Sequence, residues 1–366
     1  MIKKIGALAL AFALLLAALG PVLAQAETRL TVLDSSASVE FPFQLSFSLS
    51  AESEVHITDI RLRYRVDRDS FARVTSEVNV DFTSAPTVAV SWSLDMIKIG
   101  GLPSGTVIDY WWTVTDADGY RVETVPLQVR FDDSRYSWRS LTEGDITLYW
   151  YQGDEPFIQE IMLTAQQALV RLAEETGAHL IRPIKIYIYA SSQDLLGAMI
   201  FPTEWTGGVA YTGYGTIAIG ISPTNLEWGR RAIVHELAHL VTHQMTNNPY
   251  NSLPTWLSEG LAVYAEGEIE AIYEGYLKLA IAQGTFISVT SLASPFSAYA
   301  AQSYLSYAQS YSLVDFLINI YGQNRMFELL TAFKQGSSYD GALMNVYGFN
   351  MVGLDARWRD YVTEQY

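Results

Sequence analysis

The sequence contains no cysteine. That excludes a disulfide framework, a thiolate nucleophile and a cysteine-ligated metal, so the 366 residues must hold together by packing. Positive charge is scarce as well: 23 Lys and Arg stand against 39 Asp and Glu, a formal net charge of -16. Binding to nucleic acid or to an anionic membrane needs clustered Lys and Arg, and no nucleic-acid partner is expected. Past residue 26 no apolar run is long enough to span a bilayer. Internal repeats and low-complexity tracts are lacking too. Histidine is rare, 5 in all, yet three of the five fall between positions 235 and 243.

What is present begins with an export signal. Lys3 and Lys4 precede an apolar stretch over 5–19, and Ala24-Gln25-Ala26 forms a small-x-small cleavage site, so residues 1–26 read as a signal peptide. The competing reading is a retained membrane anchor; Gly20-Pro21, which breaks the helix just before the cleavage site, favours removal. The expected location is therefore secreted or extracytoplasmic, with no stable membrane insertion after cleavage. The composition, 49% hydrophobic, supports a core large enough for two or three domains.

Residues 27–135 carry strand patterning. Period-two alternation runs through Phe43–Leu49, Ile60–Val66, Val88–Leu94 and Ile108–Val114, with Val122–Val129 closing the set. Gly100-Gly101-Leu102-Pro103-Ser104-Gly105 and Asp116-Ala117-Asp118-Gly119 supply turns. About seven short strands with regular turns predict a β-sandwich of immunoglobulin or fibronectin-III type. Trp92, Trp111 and Trp112 could stack on sugars, but alternation assigns most of them to the core.

After Asp132-Asp133-Ser134-Arg135 the pattern changes, and residues 136–366 read as one further domain. Its first part, 136–250, is α+β: a strand at 146–151, a helix over 156–176 ended by Gly177, a strand at 184–189, a short helix near 193–199, then strands at 208–212 and 216–221. A helix follows from about Asn225 to Met245. The remainder, 251–366, is helical.

Chemistry concentrates in that helix, at His235-Glu236-Leu237-Ala238-His239. Positions i and i+4 share a helical face, so both imidazoles can hold one Zn²⁺, while Glu236 sits beside the metal as a base. A third ligand lies twenty positions beyond His239, at Glu259 in Trp256-Leu257-Ser258-Glu259-Gly260-Leu261-Ala262. Two His and one Glu leave the fourth position open, as in a catalytic zinc site.

These two motifs resemble the gluzincins, the clan of thermolysin and aminopeptidase N, and more narrowly the peptidase MA-like family of exported bacterial and archaeal proteins. The resemblance spans roughly residue 146 to the C-terminus. It implies one Zn²⁺ per chain on His235, His239 and Glu259, Glu236 as general base, and hydrolysis of a peptide or protein substrate by zinc-activated water. A metzincin would need Gly and a third His where Thr242 and Met245 stand. His243, one turn past His239, is expected to support a ligand from behind or to face solvent. By analogy, Thr216, Ile217, Ala218 and Ile219 form the edge strand that aligns substrate, and Tyr307, in Tyr307-Ala308-Gln309-Ser310, stabilises the oxyanion. Ser310 replaces the family's usual Gly, and Tyr304 and Tyr311 are neighbouring candidates. The Gly-Ala-Met-Glu-Asn motif of aminopeptidases is absent. The alternative reading is a non-catalytic exported adhesion protein with a vestigial zinc site. Oligomeric state is not readable.

Overall fold

The computed structural model describes residues 29–202 and 207–365, so the expected signal segment lies outside the described residues. The first part is built of β1 (Leu30–Glu40), β2 (Gln44–Ser53), β3 (Ile57–Val66), β4 (Ser76–Asn79), β5 (Thr87–Asp95), a single helical turn α1 (Met96–Ile99), β6 (Thr106–Asp116), β7 (Arg121–Glu123) and β8 (Leu127–Phe131). One sheet has the order β1-β2-β5. The other runs β4-β3-β6-β7, with β8 also pairing β6. Alternate residues of β2 (Leu45, Phe47, Leu49, Ala51) and of β6 (Ile108, Tyr110, Trp112, Val114) are buried, as two facing sheets require. The Phe47 and Tyr110 rings meet across that core at 5.0 Å. The predicted strand Val122–Val129 is instead two strands, because Pro126 between them has no N–H to give the ladder. Trp112 is fully buried, whereas Trp92 and Trp111 are half-buried.

The second part opens with β9 (Arg139–Glu143), β10 (Ile146–Trp150), α2 (Glu155–Thr176), β11 (Ile184–Tyr189), α3 (Ser192–Leu196) and β12 (Gly208–Tyr211). A 3-10 turn, Thr212–Tyr214, leads to β13 (Thr216–Gly220) and α4 (Leu226–Thr246). Asp154 caps α2 by accepting from the Phe157 N–H at 3.1 Å, and Gly177 ends it at φ +72°. The sheet order is β12-β13-β11-β10-β9.

One expectation is corrected here. Thr216–Ile219 is an interior strand, bonded to β12 on one side and to β11 on the other. Thr216, Ile217, Ala218 and Ile219 are all buried, and the free edge belongs to β12. The two form an antiparallel hairpin through the 3-10 turn, which adds one strand outside the expected edge.

The central sheet is covered on both faces. Ile184, Ile186, Ile188, Ile217 and Ile219 join the core formed with α2 and α4. Tyr187, Tyr189 and Ala218 join the core of the sandwich. Hence β11 is buried along nearly its whole length rather than alternating. Polar bonds pin the junction: Arg130 donates to the Tyr187 hydroxyl at 3.0 Å, Tyr189 to Asp133 at 3.1 Å, and Lys185 to the Gly105 carbonyl at 3.0 Å. A Cβ on Gly105, whose φ is +81°, would stand 2.1 Å from the Tyr187 oxygen.

Helices complete the chain: α5 (Thr255–Glu266), α6 (Ala271–Gln283), α7 (Val289–Leu292), α8 (Ala300–Tyr321), α9 (Gln323–Lys334), α10 (Tyr339–Tyr347) and α11 (Met351–Gln365). Among the described residues no helix is long and apolar enough to cross a membrane.

Candidate metal centre

His235 and His239 project from one face of α4, their ring centroids 4.8 Å apart and their Nε2 atoms 3.1 Å apart. The Nδ1 atoms point outward to fixed partners. His235 Nδ1 meets Glu266 Oε1 at 2.8 Å, and His239 Nδ1 meets Ser258 Oγ at 3.1 Å. Both partners lie on α5, which also carries Glu259. Glu259 Oε2 is a buried atom 3.5 Å from His235 Nε2 and 3.4 Å from His239 Nε2, with no hydrogen bond among the described residues. The ligating atoms of His235, His239 and Glu259 all lie within 4.8 Å of one another.

This donor set fits a cation. With Nδ1–H of each ring engaged by Glu266 and Ser258, both Nε2 lone pairs face each other and the Glu259 carboxylate. Three acceptors at such range repel unless a positive charge lies between them. Proton affinities say the same. Burial alone would push the His235 imidazolium down, but Glu259 and Glu266 outweigh it and lift the pKa to about 10. Burial would raise Glu259; the two imidazoles overcome it and hold the carboxyl well below the ordinary range.

Glu236 lies beside these donors without joining them. Burial raises its pKa above the usual carboxylate value, the nearby imidazoles opposing, and the Ala210 N–H donates to it. Its carboxyl packs so closely on Gly208 that a Cβ there would be 2.9 Å from both Cγ and Oε1. Tyr307, on α8, has its ring 6.3 Å from that of His235 and is wedged edge-on against Phe296 at 5.2 Å. Burial, then Glu259, raises its hydroxyl pKa. The neighbours turn elsewhere: Tyr304 stacks on Tyr276 at 5.6 Å, and Tyr311 faces Tyr264 at 6.0 Å.

A cleft crosses the site. One arm, a cavity of about 480 Å³, runs past Ala210, Thr212, His239 and His243. The other, about 680 Å³, runs past Trp228, Arg231, Tyr273 and Tyr304. Gly208, His235, Glu236 and Tyr307 line both. His243 thus lines the cleft instead of backing a ligand, and its buried Nε2 has no hydrogen bond among the described residues.

Two contributors escape a reading of the sequence. Glu266 anchors His235 and accepts from Arg231 at 3.1 Å; its seven-residue offset from Glu259, two turns along α5, is the only signal for it. Gly208 gives no signal before β12 is known to be the edge.

A model of the Peptidase MA superfamily matches residues 164–364, more than half of the chain. The chain belongs to this superfamily. The matched segment contains α4, α5 and α8, the three helices that carry the donors, Glu236 and Tyr307. No curated protein matches the chain. Among solved structures, an M1 zinc metallopeptidase from Deinococcus radiodurans aligns at 13% identity over 92% of this chain and 94% of that one, with a TM-score of 0.35. OgpA from Akkermansia muciniphila aligns at 13% identity and a TM-score of 0.22, over 28% of this chain and only 27% of OgpA. A family 56 carbohydrate-binding module, a β-1,3-glucan binding domain, aligns at 19% identity and a TM-score of 0.17, over 28% of this chain and 98% of the module. At such scores these likenesses carry no argument about this chain.

Proposed function

We propose that the protein is an exported zinc peptidase of the gluzincin type, with His235, His239 and Glu259 holding the metal and Glu236 acting as general base. The observation that carries this reading is the meeting of two outward-anchored imidazoles and a carboxylate whose buried Oε2 faces both of them, beside a second, non-ligating carboxylate. When bound, zinc would supply a Lewis acid that polarises the substrate carbonyl and lowers the pKa of water toward ~7.

The chain's own groups do the rest. Glu236, its pKa raised by burial, removes a proton from the attacking water and delivers it to the departing amine nitrogen. The Tyr307 hydroxyl, kept protonated by burial, donates to the oxygen that gains charge, a contribution of roughly 3–4 kcal/mol for one such donor. No covalent acyl intermediate is needed.

Substrate alignment falls to β12. The Gly220 N–H bonds the Gly207 carbonyl, so this register turns the backbone groups of Gly208 and Ala210 away from β13, toward the cleft. The Ala210 N–H serves Glu236, and the remaining groups are open to an extended peptide. Because β12 runs from the Trp228 arm to the Thr212 arm, an antiparallel peptide enters with its N-terminal side in the Thr212 arm. The sandwich, of immunoglobulin-like layout in this reading, backs the sheet from the opposite face.

The test is hydrolysis of a mixed quenched-peptide library by zinc-loaded protein beside Glu236→Gln. Cleavage that vanishes in the variant while zinc content stays at one per chain is the expected result. Equal turnover by the variant would sink the mechanism, and silence from both would return the adhesion-protein reading.

A further inference from the structure

A second cavity, of about 670 Å³, lies outside the metal centre where the sandwich meets the 3-10 turn after β12. Tyr214 lines it from that turn, and Arg65, Arg68 and Arg73 line it from the sandwich. Thr212, on the same turn, lines the catalytic cleft. With consecutive Cα atoms ~3.8 Å apart, the two cavities sit within about 8 Å of chain from each other. The sandwich loop that carries Arg68 and Arg73, just after Arg65 on β3, is tied to the turn: the Asp69 N–H donates to the Gly213 carbonyl at 2.6 Å, and Asp69 pairs with Arg182.

Charge inside this cavity is unevenly satisfied. Two of its three carboxylates are engaged: Asp69 is paired with Arg182, and Asp109 accepts from Gln128 at 2.8 Å. Asp67 makes no ion pair among the described residues and feels Arg182 and Lys185 only through space. The guanidiniums are unpaired. Arg65, Arg68 and Arg73 have no carboxylate partner among the described residues. Arg65 lies over the Trp111 ring at 5.6 Å, and its buried Nε lacks a hydrogen bond. Three planar, unpaired guanidiniums around one hollow suit carboxylates, which they can engage in pairs of parallel bonds. The chain's net charge of -16 repels acidic ligands at long range. That repulsion is screened beyond ~8 Å at physiological salt, whereas contacts inside a cavity are screened less.

We propose that this cavity is an exosite for an acidic stretch of the substrate on the N-terminal side of the cleaved bond; the proposal rests on the peptidase reading above. An antiparallel peptide leaving the Thr212 arm passes the 3-10 turn. Four extended residues reach ~13 Å, enough to enter the arginine-lined hollow.

The experiment takes a cleavable core from the library and extends it on its N-terminal side with four Glu or four Gln, or on its C-terminal side with four Glu. The N-terminal Glu extension should raise kcat/KM about tenfold over the Gln extension, mostly through KM, and the ratio should fall with added salt. In the Arg68→Gln/Arg73→Gln double variant, both positions being exposed, the ratio should collapse toward one with Tm unchanged. Equal rates for Glu and Gln extensions, an equal gain from the C-terminal block, or a gain that survives in the double variant would overturn the exosite. If no peptide is cleaved, the peptidase reading fails separately. Fluorescence anisotropy of a labelled tetraglutamate peptide on the Glu236→Gln protein then decides: binding that depends on Arg68 and Arg73 supports the exosite, and no binding overturns it.

Discussion

Gly260 lies directly against Ser310: a Cβ on Gly260 would stand 2.4 Å from the Ser310 carbonyl oxygen. The missing side chain lets α5 settle on α8, and Glu259, the preceding residue, is set beneath the two imidazoles by that contact. Gly260→Ala should therefore cost about 1–3 kcal/mol of stability and weaken zinc binding with it. Gly275, in α6, has nothing within 4 Å of its would-be Cβ, so Gly275→Ala should stabilise by up to ~1 kcal/mol. Denaturant unfolding of both variants checks the pair, and equal behaviour would refute the close-packing account.

Glu266 holds the His235 ring through Nδ1, so Glu266→Gln keeps the shape while removing the charge. Zinc affinity should fall roughly 10–100-fold in chelator competition. Arg231 retains Glu270 at 3.1 Å, so the fold should survive. Unchanged affinity would show that the bond does not tune the ligand.

Burial lowers the His235 pKa, but Glu259 and Glu266 outweigh it and push it up to about 10 when only protons compete for the site. Below that value the ring must shed a proton before it can ligate, so zinc affinity should rise about tenfold per pH unit between about pH 7 and 9. The slope flattens once pH passes the folded pKa. Calorimetry in buffers of different ionisation heat should count one proton released from this group near pH 8, and none released would contradict the assignment.

Gly208 and Glu236 are in near contact, so Gly208→Ala must displace the carboxyl. A shift of that size in the proposed general base is expected to lower kcat/KM by about 10²-fold with zinc content unchanged. Full activity would place the working carboxylate elsewhere.

Local features of the protein follow from residues close together in the chain. His235 and His239 share a face because i and i+4 always do in a helix, and Glu259 could be found because the motif around it is contiguous. Strand alternation in β2, β3, β5 and β6, and the stop of α2 at Gly177, were equally legible, since near neighbours and solvent contrast produce them. Tertiary structure decided the rest. Whether β12 or β13 lies at the edge depends on a long-range pairing, and both segments are short and Gly-flanked, so their residues do not distinguish them. Which of Tyr304, Tyr307 and Tyr311 faces the metal centre is set by the rotation of α8, which the Gly260–Ser310 contact constrains. Burial of Tyr187 and Tyr189 requires the sandwich to cover a sheet that alone would face water. Periodicity records which side of an element is buried; it carries no information about what lies against that side, because that partner comes from a distant part of the chain.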